Sequence, residues 1–201
     1  MRFSSRRSPD RGGVPSGTRL PLRLGIAGAV ALSALLLSGC VQPAPVKTPQ
    51  AHATVKPLFA SDADALAAAT KAYAAYLKMS DTISQEGGAD PERLAPLVTT
   101  EWLKKEIHSY ETFAASDRRQ IGEAAVRNAI LQNVDDRAQT VTTYFCTDIS
   151  NAHFVDSEGV DVTPTSRQGL VSLEVMLKAV TASDAELVIS EVAPWSGTAV
   201  C

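Results

Sequence analysis

The spacing of apolar residues changes once along this chain, close to Gly122, and that change limits the possible folds more than any other feature. Before Gly122 the apolar residues recur as in an amphipathic α-helix, whereas after it they alternate with polar residues as in a β-strand. Helices and strands that occupy separate parts of a chain are typical of an α+β domain. We therefore expect N-terminal helices packed on one face of a curved antiparallel sheet.

The helical part begins at Ser61, which forms a capping-box-like start with Asp64 and is followed by an alanine-rich stretch. Gly87-Gly88 predicts the end of this first helix. Asp90-Pro91 places a capping side chain before a proline suited to the first helical turn, which predicts a brief second helix. The packing face of the first helix is predicted to comprise Leu66, Ala69, Tyr73, Leu77 and Ser80.

A third helix is predicted from Thr99 or Thr100, either of which can cap it, to the residues before Ser116-Asp117. Its apolar stripe comprises Trp102, Leu103, Ile107, Tyr110, Phe113 and Ala114. Three helices are thus expected ahead of the strands.

The alternating part predicts four strands in an antiparallel meander. Val126, Ile130 and Val134 mark the first strand, and Asp135-Asp136 forms the turn of a hairpin with the second. The second strand alternates at Val141, Thr143, Phe145, Thr147 and Ile149. After a polar loop, one face of the third strand carries Val171, Leu173, Val175, Leu177 and Ala179, with Ser172, Glu174 and Lys178 facing away. Thr181-Ala182-Ser183-Asp184 predicts a turn, and Leu187, Val188, Ile189 and Val192 form the last strand before Pro194.

The N-terminus has the order of a secretory signal peptide, with a basic stretch followed by an apolar run from Leu24 to Leu37. As a helix the run reaches about 21 Å, against about 30 Å for a bilayer core. It ends in Leu37-Ser38-Gly39-Cys40, which resembles the bacterial lipobox. That resemblance implies a signal peptide of residues 1–39 and a diacylglyceryl thioether on Cys40. Arg6-Arg7 also suggests twin-arginine export, but Pro9-Asp10 follows the pair, which favours general secretion.

The segment after the lipobox carries Pro43, Pro45, Pro49 and Pro57 and has neither helical nor strand periodicity. Residues 40–60 are therefore predicted to be a lipidated, stiffened tether, with a reach of up to about 60 Å. Residues 61–201 have the length of a single domain. We expect an extracytoplasmic lipoprotein, anchored to the outer face of the cell membrane by its lipid.

The charge balance argues against nucleic-acid binding. Of 19 basic and 22 acidic residues, the predicted signal peptide contains six arginines and one aspartate, so the remaining chain carries about −8. Such a chain is repelled by phosphate backbones. We expect the membrane, through the lipid, and an envelope protein or a small apolar ligand as its partners.

Two cysteines remain beyond Cys40, and an exported compartment allows them to oxidise. A bridge between Cys146 and Cys201 is the natural pairing, while two reduced thiols or an intermolecular bond from Cys201 are the alternatives. Metal sites and cofactors are not expected, because His52, His108 and His153 include no pair at ligand spacing.

From Ser61 to Trp195 the order of elements resembles the nuclear transport factor 2-like, cystatin-like superfamily, and in particular its exported members among small actinobacterial lipoproteins. The resemblance implies a cone between the helices and the sheet. Some members are ketosteroid isomerases or polyketide-cyclase-like enzymes, and many others are non-catalytic. For an enzyme, the resemblance suggests a hydroxyl donor at Tyr73 or Tyr76 and a base at Asp148 or His153. No catalytic motif accompanies these residues.

We therefore expect a non-catalytic binding module, with a small isomerase- or cyclase-like enzyme as the alternative. The candidate lining of the pocket comprises Tyr73, Trp102, Tyr110 and Tyr144, although an exposed position for Tyr144 is equally compatible with its strand. A homodimer formed through the open face of the sheet is a third possibility.

Overall fold

The computed structural model of the protein describes residues 55–181, 186–197 and 200–201. Within these ranges the elements are α1 (Asp62–Gln85), a 3-10 helix (Pro91–Leu94), α2 (Thr100–Ala114), β1 (Arg118–Ile121), β2 (Ala125–Asp135), β3 (Thr140–Asp148), β4 (His153–Asp156), β5 (Leu170–Ala179) and β6 (Leu187–Pro194). The predicted signal peptide, Cys40, His52, the tether as far as residue 54 and most of the predicted turn at 181–184 lie outside the described residues.

The predicted α+β class is confirmed, because two α-helices pack against antiparallel sheets. β2, β3, β5 and β6 form a four-stranded antiparallel sheet in that order, and β1 pairs with β4 in a separate two-stranded sheet. α1 packs across one face of the larger sheet, which we call the inner face. The other face is called the outer face below.

The boundaries of α1 follow from its terminal residues. The Ser61 hydroxyl accepts a hydrogen bond from the Asp64 backbone N–H at 3.2 Å, as the capping pattern predicts. At the other end the Gly88 N–H donates to the Ile83 carbonyl at 2.8 Å. Gly88 has a φ of +89°, and a Cβ on it would lie 2.9 Å from the Tyr110 carbonyl oxygen. Glycine is required here both to end α1 and to let α2 approach.

The brief second helix predicted after Asp90-Pro91 is present at Pro91–Leu94. It is a single 3-10 turn, because Pro96 follows too closely for an α-helix to develop. The predicted cap at Asp90 is wrong: Asp90 has a left-handed backbone with a φ of +51°, and its side chain makes no capping hydrogen bond. The predicted cap of α2 is confirmed, since the Thr99 hydroxyl accepts from the Trp102 N–H.

β2 does not follow the simple alternation expected of it. Its register against β3 shifts between Val126 and Asn128 and again between Leu131 and Asn133, so that two β-bulges each add one residue. The residues that pack against the core are therefore Val126, Ala129, Leu131 and Val134. Ile130, expected on the same side, lies on the outer face with 45% of its surface exposed.

Two strands were absent from the prediction. β1 (Arg118–Ile121) is mostly exposed, and β4 (His153–Asp156) opens a segment predicted to be a polar loop. Each has four residues, which is too few to establish an alternation. They form a sheet because the fold brings them together, with Gln120 paired to Phe154.

The folded part of the chain begins slightly before Ser61. Leu58 and Phe59 pack against the core, and the Leu58 N–H donates to Asp136 Oδ1 in the β2–β3 turn at 2.8 Å. The predicted tether therefore meets the domain at this end of the sheet, which we call the tether end. No helix in the described part of the chain is long and apolar enough to cross a membrane.

Candidate functional site

The space between α1 and the inner face of the sheet is filled by Tyr73. Its ring stacks on Phe145 of β3 with 4.3 Å between the centroids, and 1% of its surface is exposed. The Tyr73 hydroxyl lies 3.0 Å from Thr147 Oγ1, so its polar atom is satisfied inside the core. Burial raises the pKa of Tyr73 to about 12. The hydroxyl therefore stays protonated at neutral pH.

A second group of buried polar side chains joins α1 to its neighbours. The Tyr76 hydroxyl donates to Glu106 Oε1 at 2.7 Å, and the Tyr110 hydroxyl lies 2.7 Å from Ser80 Oγ. Further along α1, Asp81 accepts from Gln120 Nε2 at 2.6 Å and from a backbone N–H of the β1–β2 turn. Burial raises the pKa of Asp81. These contacts fix the helices and β1 in place, because a buried polar group without a partner is costly.

The four aromatic residues predicted to line a pocket do not converge on one cavity. Tyr73 and Tyr110 are buried and hydrogen-bonded, as described above. Trp102 is half-buried against the core, with the Lys105 ammonium 4.9 Å from its ring centroid. Tyr144 lies on the outer face and stacks on Trp195 at 4.2 Å. The exposed-face alternative for Tyr144 is the one observed.

The two candidate bases lie away from Tyr73. Asp148 is next to Thr147 along β3, but its side chain faces the outer side and pairs with Arg127. Hydrogen bonds from the Ser150 side chain and backbone, together with Arg127, lower the pKa of Asp148 to about 2. A carboxylate with that pKa is a weak base at neutral pH. His153 lies in the two-stranded sheet, where its Nδ1 is 3.1 Å from Asp161 Oδ2.

The predicted pairing of Cys146 with Cys201 is confirmed, with the two Cα atoms 4.9 Å apart. Three described C-terminal residues lie against the outer face of the sheet: Trp195, Val200 and Cys201. The Trp195 N–H donates to the Ser172 carbonyl of β5, and Asn128 Nδ2 of β2 donates to the Val200 carbonyl at 3.1 Å. As a result Cys146 and Val200 are buried on a face that would otherwise be open.

An apolar groove of about 570 Å³ runs between α1 and the start of β6. Its α1 side carries Ala68, Ala72 and Ala75, whose small side chains leave the groove open. Leu97 and Leu187 face them, and Lys71 and Glu186 also line the groove. The volume falls in the range of about 300–1,000 Å³ that is typical of small-molecule sites. We call this the α1 groove.

A second, more polar opening of about 590 Å³ lies at the other end of the sheet, beside the disulfide. Its lining comprises Arg127, Asn128, Cys146, Asp148, Ser150, Gly169, Leu170, Val200 and Cys201. We call this the disulfide cleft. It lies at the end of β3 opposite to the tether end, about 27 Å away along a nine-residue strand.

No sequence pattern identified either opening as a site, although Cys146, Asp148 and Cys201 of the disulfide cleft were predicted to form a bridge or to act as a base. The alanines of the α1 groove recur at near-helical spacing, so their common face could have been found by extending the predicted packing face of α1 by one position. Arg127 and Asp148 are 21 residues apart, and no sequence pattern joins them. Their contact depends on the β2–β3 register and on the first bulge.

The described residues form an α+β domain in which side chains pack the space between α1 and the sheet and two openings lie at the surface. No protein-family model matches the chain, and no curated protein matches it. A solved structure that does match is the intermembrane space region of the chloroplast protein ARC6, with 11% sequence identity and a TM-score of 0.48. The match covers 66% of this chain and 97% of that one. Similarity at this level carries no functional argument.

Proposed function

We propose that the protein is a membrane-anchored lipoprotein of the cell envelope whose domain, a nuclear transport factor 2-like cone, is a non-catalytic module that binds a small apolar ligand. The observation that carries the proposal is the stack of Tyr73 on Phe145, which fills the space that a cone enzyme would use. A ligand would then bind on the exterior, and the α1 groove is the apolar candidate. Asp148 and Tyr73 lie on opposite faces of the sheet, which also supports a non-catalytic module.

The anchor is tested by replacing Cys40 with alanine in the full chain, expressed in a bacterium that processes lipoproteins. We expect the wild type to incorporate radiolabelled palmitate and to fractionate with the membrane. The Cys40→Ala variant should incorporate no label and remain as uncut precursor. The reason is that the diacylglyceryl group has no cysteine thiol to which it can be transferred. Two acyl chains are needed for stable attachment, since burial gives about 0.8 kcal/mol per methylene. Normal processing and labelling of the variant would contradict the proposal.

The α1 groove is tested with a side chain that fills it. Ala72→Phe should reduce the affinity for 8-anilinonaphthalene sulfonate, an anionic fluorescent probe whose aromatic rings bind apolar sites, by about tenfold or more, because the phenyl ring occupies the space between α1 and Leu97. Ala74→Phe is the matched control, since Ala74 is exposed on the same helix and does not line the groove. Fluorescence titration of residues 41–201 measures both. Equal affinities of the two variants would show that the probe binds elsewhere.

A further inference from the structure

Arg127 occupies an unusual position in the sheet. Val126 pairs with Thr147 and Asn128 pairs with Cys146, so Arg127 is the extra residue of the first bulge in β2. A bulge takes one residue out of the ladder and redirects its side chain. Here the guanidinium reaches Asp148 on the outer face and lines the disulfide cleft.

In the Arg127–Asp148 pair, further hydrogen bonds fix the aspartate, whereas most of the arginine side chain is exposed to solvent. Asp148 Oδ1 accepts from the backbone N–H of Ser150 at 2.9 Å and from its hydroxyl at 2.6 Å. Arg127 Nε donates to Asp148 Oδ2 at 2.7 Å, and Arg127 Nη2 lies 2.5 Å from the same oxygen in an ion pair. One edge of the guanidinium is thereby fixed, and Nη1 has no partner among the described residues. The Arg127 side chain is 63% exposed, against 8% for Asp148.

An apolar side chain lies in the same row of the sheet. Leu170 of β5 is the cross-strand partner of Asp148, so Asp148 lies between Arg127 on one side and Leu170 on the other. Leu170 is 44% exposed and lines the disulfide cleft together with Gly169. The cleft therefore offers an oriented arginine and an exposed isobutyl group across a narrow width of sheet.

We propose that the disulfide cleft binds a carboxylate that carries an apolar substituent. The exposed edge of the Arg127 guanidinium takes the carboxylate, for which its planar array of donors is suited. Leu170 contacts the apolar substituent. Because Asp148 already neutralises much of the arginine charge, hydrogen-bond geometry contributes more than net attraction, and we expect dissociation constants of about 1 mM. Both the C-terminus of a peptide ending in an apolar residue and a short fatty acid have this chemistry.

This site is separate from the α1 groove, and its test depends neither on the anchor nor on that groove. The full chain, labelled with ¹⁵N and held in detergent micelles, is titrated with N-acetyl-leucine, and the Gly169 amide and the Arg127 Nε–H are followed by NMR. N-acetyl-leucinamide lacks the carboxylate, and acetate lacks the apolar group. We expect saturable shifts with N-acetyl-leucine, none with the amide, and at least tenfold weaker binding of acetate. Hexanoate distinguishes a short fatty acid from the C-terminus of a peptide as the ligand of the cleft. If hexanoate binds more tightly than N-acetyl-leucine, the ligand is a fatty acid, and if it binds more weakly, the ligand is a peptide terminus.

Variants test the roles of the two side chains. Arg127→Gln should weaken N-acetyl-leucine binding at least tenfold, because it removes a charge-assisted interaction. Arg137→Gln, in the exposed β2–β3 turn at the tether end, should leave binding unchanged. Leu170→Ser should weaken the binding of N-acetyl-leucine and leave the binding of acetate unchanged. If Arg127→Gln fails to fold, the result with Leu170→Ser tests the proposal instead. The proposal would be overturned by equal shifts with N-acetyl-leucine and N-acetyl-leucinamide, or by no shift with N-acetyl-leucine at about 10 mM. Unchanged binding of N-acetyl-leucine by both Arg127→Gln and Leu170→Ser would overturn it as well.

Discussion

Replacing Tyr73 with alanine is expected to lower the free energy of unfolding by about 3–5 kcal/mol, the range observed for deleting a large buried aromatic side chain. Tyr73 is 1% exposed, and its ring stacks on Phe145. The substitution removes that ring and also leaves the buried Thr147 hydroxyl without its partner. Since small domains are stable by only about 5–15 kcal/mol, the loss is a large part of the total. Urea unfolding of residues 41–201, followed by circular dichroism, measures it.

Two variants separate the contributions to that loss. Tyr73→Phe keeps the ring and removes the hydroxyl, so it should cost only about 1–3 kcal/mol, the range for an unsatisfied buried polar group. Tyr144→Ala removes an aromatic ring of the same size from the outer face, where it is half-buried, and should cost less than Tyr73→Ala. A loss below about 1 kcal/mol for Tyr73→Ala would indicate an interior with room around Tyr73. In that case the cone would be open, and the enzyme alternative would regain support.

Removing the disulfide is expected to lower the free energy of unfolding by about 4 kcal/mol, from the chain-entropy model for a loop of this size. Cys146 and Cys201 are 55 residues apart, so the bridge restricts a long segment of the unfolded chain. The bridge also holds Val200 and Cys201 against β2 and β3, where Val200 is buried. The double variant Cys146→Ala with Cys201→Ala should therefore unfold at a lower urea concentration than the oxidised wild type.

The control for this prediction is the wild type itself under reducing conditions. Reduced wild type and the double variant should have similar stabilities, and denatured, unreduced residues 41–201 should contain no free thiol. Tryptophan fluorescence should also change on reduction, because Trp195 stacks on Tyr144, which precedes the bridged Cys146 by two residues on β3. Two titratable thiols in the oxidised preparation, or equal stability of all three forms, would contradict the prediction.

Several elements could be predicted because the interactions that form them are local. Ser61 caps α1 through a residue three positions away, and Gly88 ends it through its own backbone conformation. β3 and β5 lie in the middle of the sheet, where alternate residues meet the core on one side. Their predicted inner residues Val141, Phe145 and Leu177 are buried accordingly.

Other elements could not be predicted because they depend on contacts between distant segments. β2 is an edge strand with two bulges, and each bulge shifts the alternation by one residue, which places Ile130 on the outer face. β1 and β4 are too short to carry a pattern and form only when paired. Asp90 has the residue type of a helix cap, but the path of the chain between α1 and α2 gives it a left-handed backbone.

For the candidate site, the sequence by itself determined which residues have aromatic, ionisable or sulfur chemistry, and it determined the order of helices and strands around them. It also determined that Cys146 and Cys201 could pair. Only the tertiary structure decided which side each residue faces: Tyr73 into the core, Tyr144 outward against Trp195, and Arg127 through a bulge onto Asp148. The physical reason is that capping and alternation are set by neighbours within a few positions, whereas facing and pairing depend on strand register, which is fixed by packing across the whole sheet.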